Sequence, residues 1–178
     1  FTDLTVFVNV PTFSTEIEEI AKRFMNDSVK VKVNQKALTV ELVEQFYVNA
    51  YEKDKVEIIS RFIDINDYKL SMVFCNTKKA VDEVTSELLT RGFLVEALHG
   101  DMKQMQRDRV MDRFRKGTIN VLVASDVAAR GLDIDDVEAV FNYDLPTDEE
   151  YYVHRIGRTG RAKKTGVSIS LVTKAERL

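Results

Sequence analysis

The chain has 178 residues, 26 Lys and Arg against 29 Asp and Glu (net charge −3), and 44% hydrophobic content. That length carries one domain and little more, and that hydrophobic fraction excludes a disordered tail. One cysteine, Cys75, and two histidines exclude an intrachain disulfide and argue against a structural metal site,; no apolar run nears the ~18 residues of a membrane span and nothing reads as a signal peptide, so the chain reads as cytoplasmic.

Residues 1–33 read as a separate tail. Thr5–Val10 is strand-like, Ser14–Met25 has the spacing of a helix with Ser14 as N-cap, and Val29–Val33 is a short strand,. Residues 34–41 read as a linker. From residue 42 the periodicity alternates. Leu42–Val48 is β-branched and aromatic, a strand. Lys53–Ile65 places Val56, Ile59, Phe62 and Ile63 at helical spacing,. Lys69–Phe74 is a short buried strand. Lys78–Arg91 is a helix on Val81, Val84, Leu88 and Leu89, closed by Gly92,. Phe93–Leu98 is a strand, Lys103–Arg115 a helix followed by Gly117, and Ile119–Ala124 and Val137–Tyr143 are strands. Thr147–Ile156 reads as a helix with Thr147 as N-cap and Glu150 completing a capping box. Val167–Thr173 closes the series. Strands alternating with helices predict crossover units, a mostly parallel sheet and ligands outside the carboxyl ends of its strands.

Charge is segregated along the chain. Residues 133–150 hold eight acids and no base, and residues 151–175 hold six bases and no acid. A local cationic surface binds phosphates whatever the net charge. The basic stretch contains His154-Arg155-Ile156-Gly157-Arg158-Thr159-Gly160-Arg161, with arginines every third residue among glycines. Glycine lets backbone approach a ligand, and the arginine fork suits phosphate oxygens. The bland alternative is a loop that ion-pairs with the acidic stretch.

Three further segments fall at strand ends. Ala124-Ser125-Asp126-Val127-Ala128-Ala129-Arg130-Gly131-Leu132-Asp133 carries a hydroxyl and a carboxylate, then Arg-Gly-x-Asp. Asp133 suits a ribose hydroxyl or a simple turn cap. His99-Gly100-Asp101 precedes Gln104 and Arg107, which share one helix face,; His99 itself reads as structural. In Phe74-Cys75-Asn76-Thr77, Asn76 or Thr77 is an N-cap or a phosphate contact, and Cys75 reads as a packed, inert thiol.

These segments, in this order, resemble the second RecA-like lobe of DEAD-box RNA helicases, and the style of the motifs is bacterial. The resemblance covers about residues 40–175, and the octet HRIGRTGR, with NYDLP and YYV before it, is highly specific. It implies an α/β RecA-like three-layer sandwich, a mostly parallel central sheet flanked by helices, over residues 42–178. It implies ATP with Mg²⁺, RNA bound through its backbone with little sequence preference, and a first RecA-like lobe as partner. Carried onto this sequence, Arg158 and Arg161 are arginine fingers on the γ-phosphate. Gly131 and Asp133 contact the nucleotide. Asn76, Thr77, Gly100, Asp101, Arg107, Ser125 and Asp126 lie along the RNA or support residues that do, with Gln104 orienting Arg107. Arg130, His154 and Arg155 link the lobes or brace the motifs. Residues 1–33 resemble the end of the first lobe.

The departures are specific. Ser125 stands where the family has Thr, and Lys163 where a glycine is usual. Val10-Pro11-Thr12 aligns with a Ser-Ala-Thr triplet and matches only at its threonine. No G-x-x-x-x-G-K-[ST] loop and no Asp-Glu-Ala-Asp box occurs in these residues, and those features cradle the triphosphate and hold Mg²⁺,. The chain by itself is therefore expected to be inactive as an ATPase. An ATP-independent RNA-binding scaffold and a lobe of a related DNA helicase are the alternative readings.

Overall fold

The structure, a computed structural model, describes residues 19, 23, 42–130, 132, 134, 137–160 and 165–177. The chain divides into two compact units, Phe1–Gln35 and Lys36–Leu178. Of the expected tail and linker only Glu19 and Arg23 are described, both helical and exposed. The strands expected at residues 5–10 and 29–33, and the linker at 34–41, lie outside the described residues.

The second unit is built on six strands: β1 (Val43–Asn49), β2 (Ser71–Cys75), β3 (Val95–Leu98), β4 (Val121–Ser125), β5 (Ala139–Asn142) and β6 (Gly166–Val172). They form one sheet in the order β1-β6-β5-β2-β4-β3. Every pairing is parallel, so the mostly parallel sheet of the sequence reading is wholly parallel here. The helices are α1 (Lys55–Asn66), α2 (Lys78–Thr90), α3 (Gln104–Arg115), the single turn α4 (Asp126–Ala129) and α5 (Glu149–Ile156). Among the described residues no helix is long and apolar enough to cross a membrane.

Strand side chains alternate between faces, and this alternation sorts the core into two layers. On β2, β4, β5 and β6, Val73, Cys75, Val121, Val123, Phe141, Ile169 and Leu171 point one way, onto Val56, Ile59 and Ile63 of α1 and Val81, Val84 and Leu88 of α2. Met72, Phe74, Leu122, Ala124 and Val140 point the other way, onto Val110, Met111 and Phe114 of α3 and Ala128 and Ala129 of α4. Both faces are covered, which is why β2, β4 and β5 are buried at every position and read as continuous apolar runs,.

Element ends follow local chemistry. Thr77 Oγ1 accepts the Ala80 N–H at 3.1 Å and starts α2, as the sequence allowed,. Gly92 follows α2 as expected. Asp67 ends α1 in the left-handed region, at φ 52°, which a short polar side chain tolerates,. One expectation is corrected: Asp148, not Thr147, is the N-cap of α5, its Oδ1 accepting the Glu150 N–H at 2.7 Å. The carboxylate is the stronger acceptor for that amide, and the helix starts one residue later as a result.

The arginine loop leaves α5 and packs its backbone on the sheet. Gly160 has φ +70°, and a Cβ there would meet Val43 Cγ2 at 2.6 Å. A Cβ at Gly166 would meet Thr159 Oγ1 at 2.0 Å and the Gly160 nitrogen at 2.5 Å. Thr159 is fixed in turn by its hydroxyl, which donates to the Val137 carbonyl at 2.5 Å. No rotamer relieves a clash with backbone, so Gly166→Ala should destabilise the lobe by about 1–3 kcal/mol in urea unfolding.

Candidate functional site

All six strands run in parallel, so their carboxyl ends lie along one edge of the sheet, and the sequence-predicted residues collect there,. The centre of the arrangement is Arg155, on the last turn of α5 and 1% exposed. Its guanidinium is bidentate on Asp126, Nε to Oδ1 at 2.6 Å and Nη2 to Oδ2 at 2.7 Å. Nη2 also donates to Asn76 Oδ1 at 2.7 Å, and Nη1 donates to the Asp144 carbonyl at 2.6 Å and to Asn142 Oδ1 at 3.3 Å. Each of the five donors of the guanidinium thus has a partner. Its Cζ lies over the Phe74 ring, 5.3 Å from the centroid,. Only arginine offers five donors in a planar fork, and a lysine here could not bridge the ends of β2, β4 and β5 at once.

Asn76 stands just past β2 and remains exposed although its polar groups are engaged. Its N–H donates to Asp144 Oδ2 at 2.8 Å, and its Nδ2 donates to the Leu145 carbonyl at 2.8 Å. The result is an immobilised side chain facing outward. Thr77 beside it is also exposed, and Ser125 and Asp126 close β4 and open α4.

Asp101, after β3, pairs with Lys78 at the start of α2. That ammonium holds the Asp101 carboxyl below its ordinary value. His99 Nε2 lies 3.3 Å from Asp82 Oδ1, and Gly100 is exposed between the two contacts. On α3 the expected pairing of Gln104 with Arg107 is not formed. Gln104 Nε2 donates to Asp108 Oδ1 at 2.7 Å, whereas Arg107 Nη2 donates to the Ala128 carbonyl of α4 at 3.0 Å. An i, i+4 carboxylate outcompetes a second cation for the amide, and the free C-terminal carbonyls of α4 draw the guanidinium.

Arg158 follows the end of α5, half-buried. Its Nη1 donates to the Leu132 carbonyl at 2.5 Å and its Nε to the His154 carbonyl at 3.3 Å. His154 Nε2 lies 3.9 Å from Glu150 Oε1, one turn back. Arg158, His154, Tyr151, Arg130 and Asp126 line one shallow depression over Phe74 and Arg155. Gly131, Asp133 and Arg161 lie outside the described residues, so the geometry speaks only to their neighbours.

Three partners were missed by sequence reasoning: Asn142, Asp144 and Phe74. Asn142 left a signal, being the one polar side chain in the apolar strand β5, where it is fully buried and donates to Ser170 Oγ at 3.0 Å. Cys75 beside them is fully buried, and burial pushes its thiol well above the ordinary range. It should therefore resist alkylation at pH 8 in the folded chain and react on unfolding, as followed by mass spectrometry.

Residues 54–163 match the family described as "Helicase conserved C-terminal domain". The chain is 49% identical over 165 residues to the DEAD-box ATP-dependent RNA helicase CshA of Geobacillus kaustophilus, a match covering 93% of this chain and 35% of that protein. It spans about a third of the length of the curated relatives it matches. Among solved structures it is similar to E. coli SrmB bound to the regulator RraA, at TM-score 0.72 and 37% identity, over 76% of this chain and 80% of that one. It is also similar to S. cerevisiae Dbp5 L327V bound to RNA and ADP BeF3, at TM-score 0.77 and 35% identity, over 93% of this chain and 44% of that one.

The Arg155 cluster makes a further prediction. Arg155→Met removes the bidentate partner of Asp126 and leaves the Asn76, Asn142 and Asp144 acceptors without their donor, so the lobe should lose about 3–5 kcal/mol of stability in chemical denaturation,.

Proposed function

The chain belongs to the DEAD-box RNA helicase family, as its helicase C-terminal domain, and on that premise we propose that it is the second lobe of an ATP-dependent RNA helicase, closing on a first lobe around ATP. In this reading Arg158 and Arg161 reach the γ-phosphate and stabilise the charge of phosphoryl transfer. Gly131 and Asp133 contact the nucleotide, Asp133 at the ribose. Arg130 and His154 face the first lobe. Residues 1–33 are the end of that first lobe and residues 34–41 the linker.

One observation carries the reading. Arg158 is held on the Leu132 carbonyl, between the two residues assigned to the nucleotide, in the same depression as Arg130 and His154. A sequence gap of 26 residues is thus closed by a hydrogen bond. The contact places the Arg158 guanidinium beside the segment that carries Gly131 and Asp133. Arg155, by contrast, is fully engaged inside the lobe and acts as a brace. Mg²⁺ is assigned to the first lobe, where the family's Asp-Glu-Ala-Asp box would hold it.

RNA is proposed to lie along Asn76, Thr77, Gly100, Asp101, Ser125 and Asp126, with Gln104 and Arg107 beside them. Polar residues at the strand ends and the start of α2 suit phosphate and ribose, contacts that carry no base information. Closure of the two lobes completes the ATP site and bends the RNA, so that a short duplex is pried apart locally, and hydrolysis releases the closed state.

Joined to the first lobe of a CshA relative, the chain should hydrolyse ATP in response to RNA and not to DNA. Arg158→Ala should lower that turnover about 10³-fold; unchanged turnover would refute the finger assignment. Alone, the chain should bind single-stranded RNA weakly, with log K falling on log salt at a slope of about −2 for three phosphates. Tight binding at high salt would favour a scaffold that works without ATP.

A further inference from the structure

Lys55, at the start of α1, is 1% exposed, and the reading above gives it no role. A buried ammonium is costly unless its charge is met. Lys55 Nζ lies 3.0 Å from Glu52 Oε2 and 3.8 Å from Asp144 Oδ1, and 4.8 Å from the Tyr143 ring centroid. Glu176, near the end of the chain, also feels its charge. Glu52 is 64% exposed at its side chain and has water as an alternative, while Asp144 is 22% exposed. The less hydrated carboxylate gains more from the cation.

Asp144 is the hinge between this cation and the candidate RNA surface. One carboxylate oxygen faces Lys55, and the other accepts the Asn76 N–H at 2.8 Å. Its backbone carbonyl accepts from Arg155 at 2.6 Å, and the next carbonyl, of Leu145, accepts from Asn76 Nδ2 at 2.8 Å. A chain of contacts therefore runs Glu52, Lys55, Asp144, Asn76, Arg155, Asp126, from the turn after β1 to the end of β4.

We propose that Lys55 is a positioning residue for RNA binding: it fixes the Asp144 carboxylate, which in turn sets the backbone and side chain of Asn76 at the edge that takes the RNA backbone. Lys55 touches no RNA itself. The inference rests on the RNA-binding reading above. Without the ammonium, Asp144 turns toward water, the Asn76 N–H loses its acceptor, and the 143–146 loop loosens, while the two core layers are untouched.

The test uses the 178-residue chain and a ten-nucleotide uridine RNA. Lys55→Met keeps the length and apolar stem but removes the charge. Hydrogen exchange of the Asn76 amide should quicken about tenfold, with the amide of Val123 in β4 unchanged. RNA affinity should fall about five- to tenfold, and Lys55→Arg should restore most of it. Unchanged Asn76 exchange, or unchanged RNA affinity in a variant with quickened exchange, overturns the proposal, as does uniform loss of protection across the sheet. Asp144→Asn serves if Lys55→Met does not fold; it should weaken RNA binding by the same factor, and undiminished binding counts against Lys55. A wild-type chain that binds no RNA refutes the RNA-binding reading itself, which the exchange measurement alone would not do.

Discussion

A single buried guanidinium organises the edge of this sheet. Arg155 reaches from the last turn of α5 into the space between the ends of β2, β4 and β5, and each of its donors ends on a different acceptor atom. Parallel strands end in loops whose backbone groups cannot pair with one another, so something must cross-link them. Arg155 does so, and among the described residues its one ion pair is the bidentate contact with Asp126. The remaining acceptors are amide and carbonyl oxygens, which let a cation sit in the interior without drawing several carboxylates in with it.

The brace explains why neighbouring residues in the same octet have such different surroundings. Arg155 belongs to the helix and is enclosed. Arg158 lies just past the helix end, where Gly157 has already turned the chain, and its head group lies in the open depression. Thr159 and Gly160 then press the loop onto β1 and β6, where no side chain larger than hydrogen fits at Gly160 without displacing Val43. Gly160 of the octet thus serves packing against the sheet.

The segregated charge of the sequence has a comparable explanation. Asp148, Glu149 and Glu150 stand at the start of α5 and His154 and Arg155 in its last turn, each end matching the helix dipole,. The change of sign along the sequence falls within α5. Asp144 engages the site through both its carboxylate and its carbonyl.

Periodicity was sufficient to read the six strands and the longer helices from residue 42 onward, since burial on both faces of a sheet and one face of each helix leaves a pattern in one dimension, whereas the single turn α4 was too short to leave one. Strand ends and helix starts were legible to within one or two residues, with Asp148 for Thr147 the clearest error, because two adjacent cap residues differ only in which one reaches the amide. The octet and its companion segments identified the family, and the described residues they single out collect at the carboxyl ends of the strands. The resemblance gave Arg155 and Arg158 different roles, but nothing in the sequence showed that Arg155 is enclosed or singled out Lys55. Their partners lie far along the chain: Asn76 is 79 residues from Arg155, and Asp126 is 29. The sequence by itself thus determined the elements, their alternation and the residue types at the strand ends. Which arginine is enclosed and which faces the cleft was decided only by the tertiary structure, because hydrogen-bond acceptors 11 to 79 residues away meet Arg155 only when the parallel strands align.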